Sequence, residues 1–336
     1  MRQSVATAST PTPSWNGPRT GPTGATQKNL AIICDDLRNG GILGVAQGVQ
    51  EAVRSLKWNV KVFDSAGSPS GRAKAAAEAL ASKPDGLILV GTDAKVMGPL
   101  VRPFSSLGIP IVGWHVSAKA GPVVNSPIAM NVSTDPLEVA RISAMAAVIS
   151  TKDHAGVVIF TDSNFEIAMA KANAMADVIR ACEQCTLLGI QDVAISKSAE
   201  QMPAVTRNLL SQFGKRWTHA LAINDIYFDY VVPELIKAGL PNDSISLLSA
   251  GDGSSAAFMR IRAKAFQTVT VAEPLNLHGW QLVDELNRLM QHQAASGYVI
   301  PVHLVNSNNI NVDGGARFQY DPDNGYRDIY RQIWKP

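Results

Sequence analysis

What this 336-residue chain lacks narrows its function before any motif is found. It has no apolar run of about 18 residues, the length a membrane-spanning helix needs. It has no long basic or acidic run, and its formal net charge is only +2. Nucleic acid and anionic membrane surfaces are held by clustered basic fields, so neither is an expected partner. G-x-x-x-x-G-K-[ST] is missing, which excludes a P-loop, and so is G-x-S-x-G, the sequence of a nucleophile elbow. The histidines stand at His115, His154, His219, His278, His292 and His303. No two are four apart and none belongs to H-E-x-x-H, so no metal site, no metal catalysis and no other cofactor is expected.

Cysteine is scarce, with three in the chain. Cys34 lies in an apolar stretch and is expected to be a buried, inert thiol. Cys182 and Cys185 form a lone C-x-x-C, which fits a redox pair, half a metal site or a local disulfide. No second C-x-x-C and no nearby histidine pair completes a zinc site. The pair follows a helical stretch rather than opening one, so it lacks the dipole that lowers a catalytic thiol's pKa. A structural disulfide in an oxidising compartment is the expectation.

Hydrophobic residues make up 46% of the chain, enough for a large core and two domains of ordinary size. Residues 1–27 stand apart. They are rich in Ser, Thr, Pro and Gly and are expected to be a disordered leader or tether. They contain no 7–15-residue apolar core of an intact secretory signal peptide. A tether left after signal removal, an engineered leader and the floppy end of a cytoplasmic protein share this composition.

From Lys28 the pattern becomes regular. Strands are expected at 30–34, 59–64, 86–90 and 110–114, with helices at 44–56, 69–82 and 94–107 between them. A second cycle starts at 130–135. Its helices fall at 136–150, 165–181, 200–213, 228–238 and 254–263, and its strands at 156–160, 186–192, 220–223, 246–250 and 268–272. A helix at 277–291, a strand at 302–305 and a short helix at 325–334 complete the chain. The apolar runs are short and continuous, as strands covered on both faces should be. The fold class is therefore α/β: two doubly wound, parallel-sheet lobes of similar size with a cleft between them. Asp321-Pro322-Asp323-Asn324-Gly325 faintly resembles a calcium loop but lacks the later glutamate, so a turn and helix cap is expected.

In open α/β sheets, ligands sit outside the carboxyl ends of the strands. The residues at those ends are polar. Asp35, Asp36 and Asn39 follow the first strand; Thr92 and Asp93, then Trp114 and His115, follow later ones. Asp162, Ser163, Asn164 and Phe165 open the second lobe's set, joined by Asn224, Asp225, Gly251, Asp252 and Glu273. Singly, each fits a cap or turn residue; together they define a candidate ligand site with no catalytic residue among them. Gly40, Gly41 and Gly44, with Asp64 ending the next strand, also resemble a dinucleotide fold. The spacing does not match G-x-G-x-x-G, and two aspartates at the strand end would repel a pyrophosphate. An NAD-dependent dehydrogenase is thus the alternative of another class.

The order and spacing of several pieces resemble a known family. Ala31-Ile32-Ile33 through Gly48, Pro84-Asp85-Gly86-Leu87-Ile88-Leu89, Gly108-Ile109-Pro110-Ile111-Val112, Ala222-Ile223-Asn224-Asp225 and Ser249-Ala250-Gly251-Asp252-Gly253 are similar to periplasmic sugar-binding proteins of the ribose-binding type, the solute receptors of ABC importers. The resemblance runs from about Lys28 to Val305. It implies the type I periplasmic-binding-protein fold, with lobes joined by a three-strand hinge near Met130–Asp135, Glu273–Leu275 and Val302–Asn306. The amino-terminal lobe would take 28–133 and 275–303, the carboxyl-terminal lobe 134–274 and 304–336. Lac-repressor-type regulators share the fold, but residues 1–27 do not suit a helix-turn-helix headpiece.

The resemblance further implies a non-enzymatic, monomeric periplasmic receptor. Closure on a small ligand would present it to an importer permease in the inner membrane, or, alternatively, to a chemoreceptor or kinase. Asp35, Asn39, Asn224, Asp225 and Asp252 match family contacts. His115, beside Trp114, stands where an aspartate is common, and Glu273 where glutamine is. Gly41 and Ile42 replace the aromatic pair that sandwiches a pyranose. An apolar run around Ala168 and Met169 replaces an arginine, with Lys171 the nearest base. Five carboxylates, Asp35, Asp36, Asp225, Asp252 and Glu273, point to a donor-rich ligand: a polyol, a hydroxyl-rich sugar or an amino sugar. Trp114 and Phe165 are the expected stacking faces.

Overall fold

The computed structural model describes residues 1–11, 14–151, 154–314 and 317–335. After an opening helix α1 (Arg2–Ala8), strands and helices alternate: β1 (Asn29–Cys34), α2 (Gly40–Leu56), β2 (Asn59–Asp64), α3 (Pro69–Ala81), β3 (Gly86–Val90), α4 (Ala94–Ser106), β4 (Ile111–Trp114), β5 (Gly121–Pro122) and β6 (Ile128–Val132). A second alternation follows: α5 (Pro136–Ser150), β7 (Ala155–Thr161), α6 (Glu166–Arg180), β8 (Cys185–Asp192), α7 (Ser198–Phe213), β9 (His219–Ala222), α8 (Ile226–Lys237), β10 (Ser246–Ser249), α9 (Ser255–Arg262), β11 (Gln267–Ala272), α10 (Leu275–Met290) and β12 (His303–Asn306). Helices α11 (Ile310–Asp313) and α12 (Tyr326–Trp334) come last.

The strands form two six-stranded sheets, ordered β2-β1-β3-β4-β6-β5 and β12-β11-β10-β9-β7-β8. Pairing is parallel except at β5 with β6 and at β11 with β12, where it is antiparallel. These two pairings depart from an all-parallel expectation. Both lie at sheet edges, where a strand can turn back without a crossover helix. Burial follows position in the sheet. Central β3 and β7 are buried at every residue, whereas edge strands β2 and β8 alternate between more and less exposed positions.

Local chemistry sets the helix starts. Asn39, Ser68, Asp93 and Ser254 cap α2, α3, α4 and α9 by accepting a backbone N–H from the first turn, and Pro69 opens α3. Helices α2 and α10 cross at glycines. A Cβ on Gly279 would lie 2.4 Å from the Gly48 carbonyl carbon, so only glycine permits this approach.

The chain divides into two compact units, each with its own sheet. The first unit holds Thr12–Asp135, Pro274–Pro301 and Asp321–Pro336; the second holds Met1–Pro11, Pro136–Glu273 and Val302–Tyr320. Two expectations are corrected here. Residues 1–27 are not a structureless leader among the described residues. Val5 and Ala8 of α1 are buried in the second unit's core. Trp15 is buried against Tyr298 and Tyr330 of the first unit. The stretch after it has no internal hydrogen-bond ladder, so α10 satisfies its backbone. Arg288 donates to the Thr20 carbonyl at 2.7 Å, and Asn287 donates to the carbonyls of Pro22 and Thr23 while accepting from the Ala25 N–H.

The second correction concerns the tail. Residues 321–336 belong to the first unit rather than to the carboxyl-terminal lobe. Trp334 stacks on Trp280 of α10 at 5.4 Å and donates its indole N–H to Asp284 at 2.8 Å. Asp321 accepts from Tyr326 and Arg327, and Asn324, just before the Gly325 N-cap of α12, accepts from the Tyr326 N–H. The segment that resembles a calcium loop is therefore a turn and cap.

Candidate functional site

In each sheet the chain order reverses beside its first strand, between β1 and β3 in one and between β7 and β9 in the other. Such a switch point opens a crevice at the carboxyl ends of the strands. All the sequence-derived candidates fall at strand ends, but the structure gives them unequal work.

In the first unit, β1 runs into Asp35 and Asp36, both buried. Arg72, one turn into α3, grips Asp35 with two guanidinium nitrogens, Nε to Oδ1 at 2.6 Å and Nη2 to Oδ2 at 3.1 Å. Arg38 binds Asp36 in the same bidentate way, with its own outer face exposed. Asn39 accepts from the Gly41 N–H at 2.9 Å and so caps α2. Asp93 caps α4. Cys34 is fully buried, and burial pushes its thiol pKa up, as an inert core thiol requires.

Trp114 closes β4 inside the hydrophobic core of its unit. The His115 ring stacks on it at 3.6 Å and 12°, and its indole N–H donates to His278 Nδ1 at 3.0 Å. One indole face is thus spent on His115, which corrects the expectation of an open stacking face at Trp114. His115 itself holds a left-handed φ of 55°, a region few non-glycine residues enter, histidine more readily than most. Two hydroxyls add to the set. Ser65 and Thr92, at the ends of β2 and β3, are buried with no hydrogen-bond partner among the described residues. Orphaned buried hydroxyls call for an explanation, and a strand-end ligand site supplies one.

In the second unit, Asp162 follows β7 and ties down its loop. It accepts from the Asn164 N–H and side chain and from the Ile195 N–H. Phe165 sits half-buried at the N-cap of α6, packed against the unit's core. Asn224 accepts from the Ile226 N–H and donates to Asp252 Oδ2 at 2.6 Å. Asp225 is fully buried and receives five donors: the Ser249 hydroxyl, Gln267 Nε2 at 2.8 Å, the Gly253 N–H at 2.8 Å, the Ser254 N–H at 3.1 Å and the Thr270 hydroxyl at 3.4 Å. It is the hub that ties the turn after β9 to β10, to the loop beyond β10 and to β11. Asp252 and Glu273 are joined through the backbone, Glu273 N–H to the Asp252 carbonyl at 3.0 Å.

The five carboxylates therefore do not form one open cluster of acceptors. Asp35 and Asp36 carry guanidinium partners, and Asp225 is saturated from within its own unit. This corrects the charge argument for a cationic ligand. Two basic partners bear on the correction. Arg72 stands four residues past Ser68 in the next helix and lies 37 residues from Asp35, so spacing alone does not pair them. Lys171 comes from the apolar run of α6, is 3% exposed, and donates to the Ala250 carbonyl at 2.8 Å. The cysteines agree with the expectation: Cys182 and Cys185 are disulfide-bonded. No helix among the described residues is long and apolar enough to cross a membrane.

Comparison with known proteins places this architecture. No curated protein matches the chain. The structure is similar to that of a Caulobacter myo-inositol binding protein bound to myo-inositol, at 18% identity and a TM-score of 0.75, over 88% of this chain and 98% of that one. It is similar also to an ABC transporter solute binding protein from Agrobacterium vitis with bound allitol, at 17% identity and a TM-score of 0.72, over 85% and 97%. A glycerol-bound ABC transporter solute binding protein from Mycobacterium smegmatis matches with a TM-score of 0.76 at 13% identity, over 88% and 99%. Residues 30–294 match the periplasmic binding protein domain, and the chain belongs to that family.

Proposed function

We propose that this protein is the solute receptor of an ABC-type importer, binding a hydroxyl-rich small molecule, a sugar or polyol, and turning nothing over. The observation that carries the proposal is the pair of switch-point sheets whose strand ends hold buried hydrogen-bonding groups: Asp36, Asn39, Thr92 and His115 in one unit, Asn224, Asp252 and Glu273 in the other, with Lys171 reaching the end of β10 from α6. Polyols carry dense donors and acceptors and no charge, which suits sites of this composition. The family match and the allitol, myo-inositol and glycerol carried by three structural relatives support the same class.

Ligand-driven closure of the two units would then be the signal passed to a permease in the inner membrane, with the receptor itself in the periplasm. A dehydrogenase finds less support, because the turn after β1 lacks the glycine fingerprint that brings backbone against a pyrophosphate. A thermal-shift screen of polyols, pentoses and hexoses, followed by calorimetry, tests the proposal. Saturable binding of at least one compound is expected. No shift across all three classes would reject the ligand class.

A further inference from the structure

Among the described residues the chain changes unit five times, after Pro11, Asp135, Glu273, Pro301 and Tyr320. The changes after Asp135, Glu273 and Pro301 fall within or beside the segments named above as the hinge; the tail adds the one after Tyr320. That change is made by a single peptide bond, and both of its ends are held. On the second-unit side Tyr320 is 4% exposed, stacks on His303 at 4.2 Å and shares a small apolar core with Phe258, Ile261 and Ile310. His303 is bonded to Asp313 at 2.8 Å and pairs with Ala272 across β12 and β11. On the first-unit side the Asp321 carboxylate accepts from Arg327 Nη2 at 2.7 Å and from the Tyr326 hydroxyl at 2.8 Å. That hydroxyl accepts from Asn276, near the start of α10, at 2.6 Å, and Arg327 also binds Glu51 of α2. Consecutive Cα atoms lie about 3.8 Å apart, so no spare chain separates the two anchors. The leader differs. Its anchors, Ala8 and Trp15, have several residues between them, enough extended chain to reach about 25 Å.

We propose that Tyr320–Asp321 is an additional hinge crossing without slack, by which the carboxyl-terminal tail restricts the swing of the two units when no ligand is bound. A hinge works through φ/ψ changes in a few residues while the bodies on either side stay rigid. Motion that drew the Tyr320 core away from the Asp321 cluster would exceed the length of one peptide. It would have to break the Tyr320–His303 stack or the bonds to Asp321. Tyr320, His303 and the Asp321 side chain are all buried, so either loss is costly. Rotation about the crossing itself remains allowed. A receptor whose ligand-free units are already confined gives up less freedom on closing, which favours affinity. The crossing governs motion rather than ligand chemistry, so a negative result leaves the receptor function standing.

The test is pulsed electron–electron double resonance on the full chain without ligand. Spin labels go on Lys74→Cys in α3 and Asp177→Cys in α6, where the native side chains are 76% and 78% exposed. The native cysteines do not compete, since Cys34 is buried and Cys182 is bonded to Cys185. Inserting Gly-Ser-Gly-Ser between Tyr320 and Asp321 keeps both anchors and adds slack. The distribution of spin–spin distances is expected to widen roughly 1.5-fold or more, because four flexible residues span about 10–12 Å on average. The same insertion between Val124 and Asn125, in a turn inside the first unit, should leave the width unchanged. Near-UV circular dichroism of the stacked Trp280 and Trp334 reports whether the tail is still seated. A seated tail with a distribution as narrow as the wild type's overturns the proposal. Widening by the Val124–Asn125 insertion to the same extent overturns it as well. If the hinge insertion unseats the tail, Tyr320→Ala replaces it, removing the second-unit anchor and leaving Asp321 bound. The same widening is then expected, and an unchanged width again overturns the proposal.

Discussion

Arg72 and Asp35 meet as a two-pronged ion pair at the carboxyl end of β1, their side chains 12% and 7% exposed. Removing one member of such a pair strands the other charge in a poorly solvated place. Arg72→Ala is therefore expected to lower unfolding stability by about 3 kcal/mol. Urea denaturation measures the loss. Arg72→Lys should recover only part of it, because an ammonium cannot match both carboxylate oxygens.

Asp225 invites a test of binding, but its surroundings point first to stability. Five donors from β10, the loop after it and β11 converge on it. Asp225→Ala is expected to cost about 3 kcal/mol or more, through stranded buried donors. Asp225→Asn should also destabilise, because its amide nitrogen would face at least one N–H donor. A variant with wild-type melting temperature and lost ligand affinity would show instead that Asp225 acts mainly on ligand.

Trp334 seals the first unit from the far end of the chain. It is 5% exposed, stacks on Trp280 and donates to Asp284, which is itself fully buried. Trp334→Ala is expected to cost about 3–5 kcal/mol, the usual loss for a buried aromatic. Trp334→Phe should restore the stacking and leave the Asp284 bond missing, giving an intermediate loss. Differential scanning calorimetry separates the two.

Acid sensitivity should show at His219. Burial pulls its pKa down to about 4, so the folded chain keeps it neutral through weakly acidic pH. The unfolded chain, with an ordinary pKa near about 6.5, takes up a proton there first. Stability is thus undiminished by this group above about pH 6.5 and falls as the pH drops towards 4, by about 3 kcal/mol at most. His219→Gln is expected to flatten that limb. Chemical denaturation at neutral pH and near pH 4.5 compares the slopes.

Much of the fold was legible because strands such as 30–34 and 86–90 are short, unbroken apolar runs, and because helices such as α2 and α3 open on a capping side chain. What escaped was long-range. Arg327 reaches Glu51 across 276 residues, and nothing in the tail's composition assigns it to the first unit. Residues 1–27 look disordered by composition because their partners, Asn287 and Arg288, lie on α10 rather than nearby. At the site, the positions of Asp35, Asn39, Asn224, Asp225 and Asp252 at strand ends followed from periodicity. Their partners did not. Arg72 and Gln267 sit on other elements, and Trp114 packs in its unit's core with His115 stacked on one face.

The division of the chain into interleaved segments has a consequence for its biogenesis. The first unit needs Thr12–Asp135, α10 and the stretch from Asp321 onward before its aromatic core can close. A nascent chain emerging residue by residue cannot complete that core until the segment carrying Trp334 has left the ribosome.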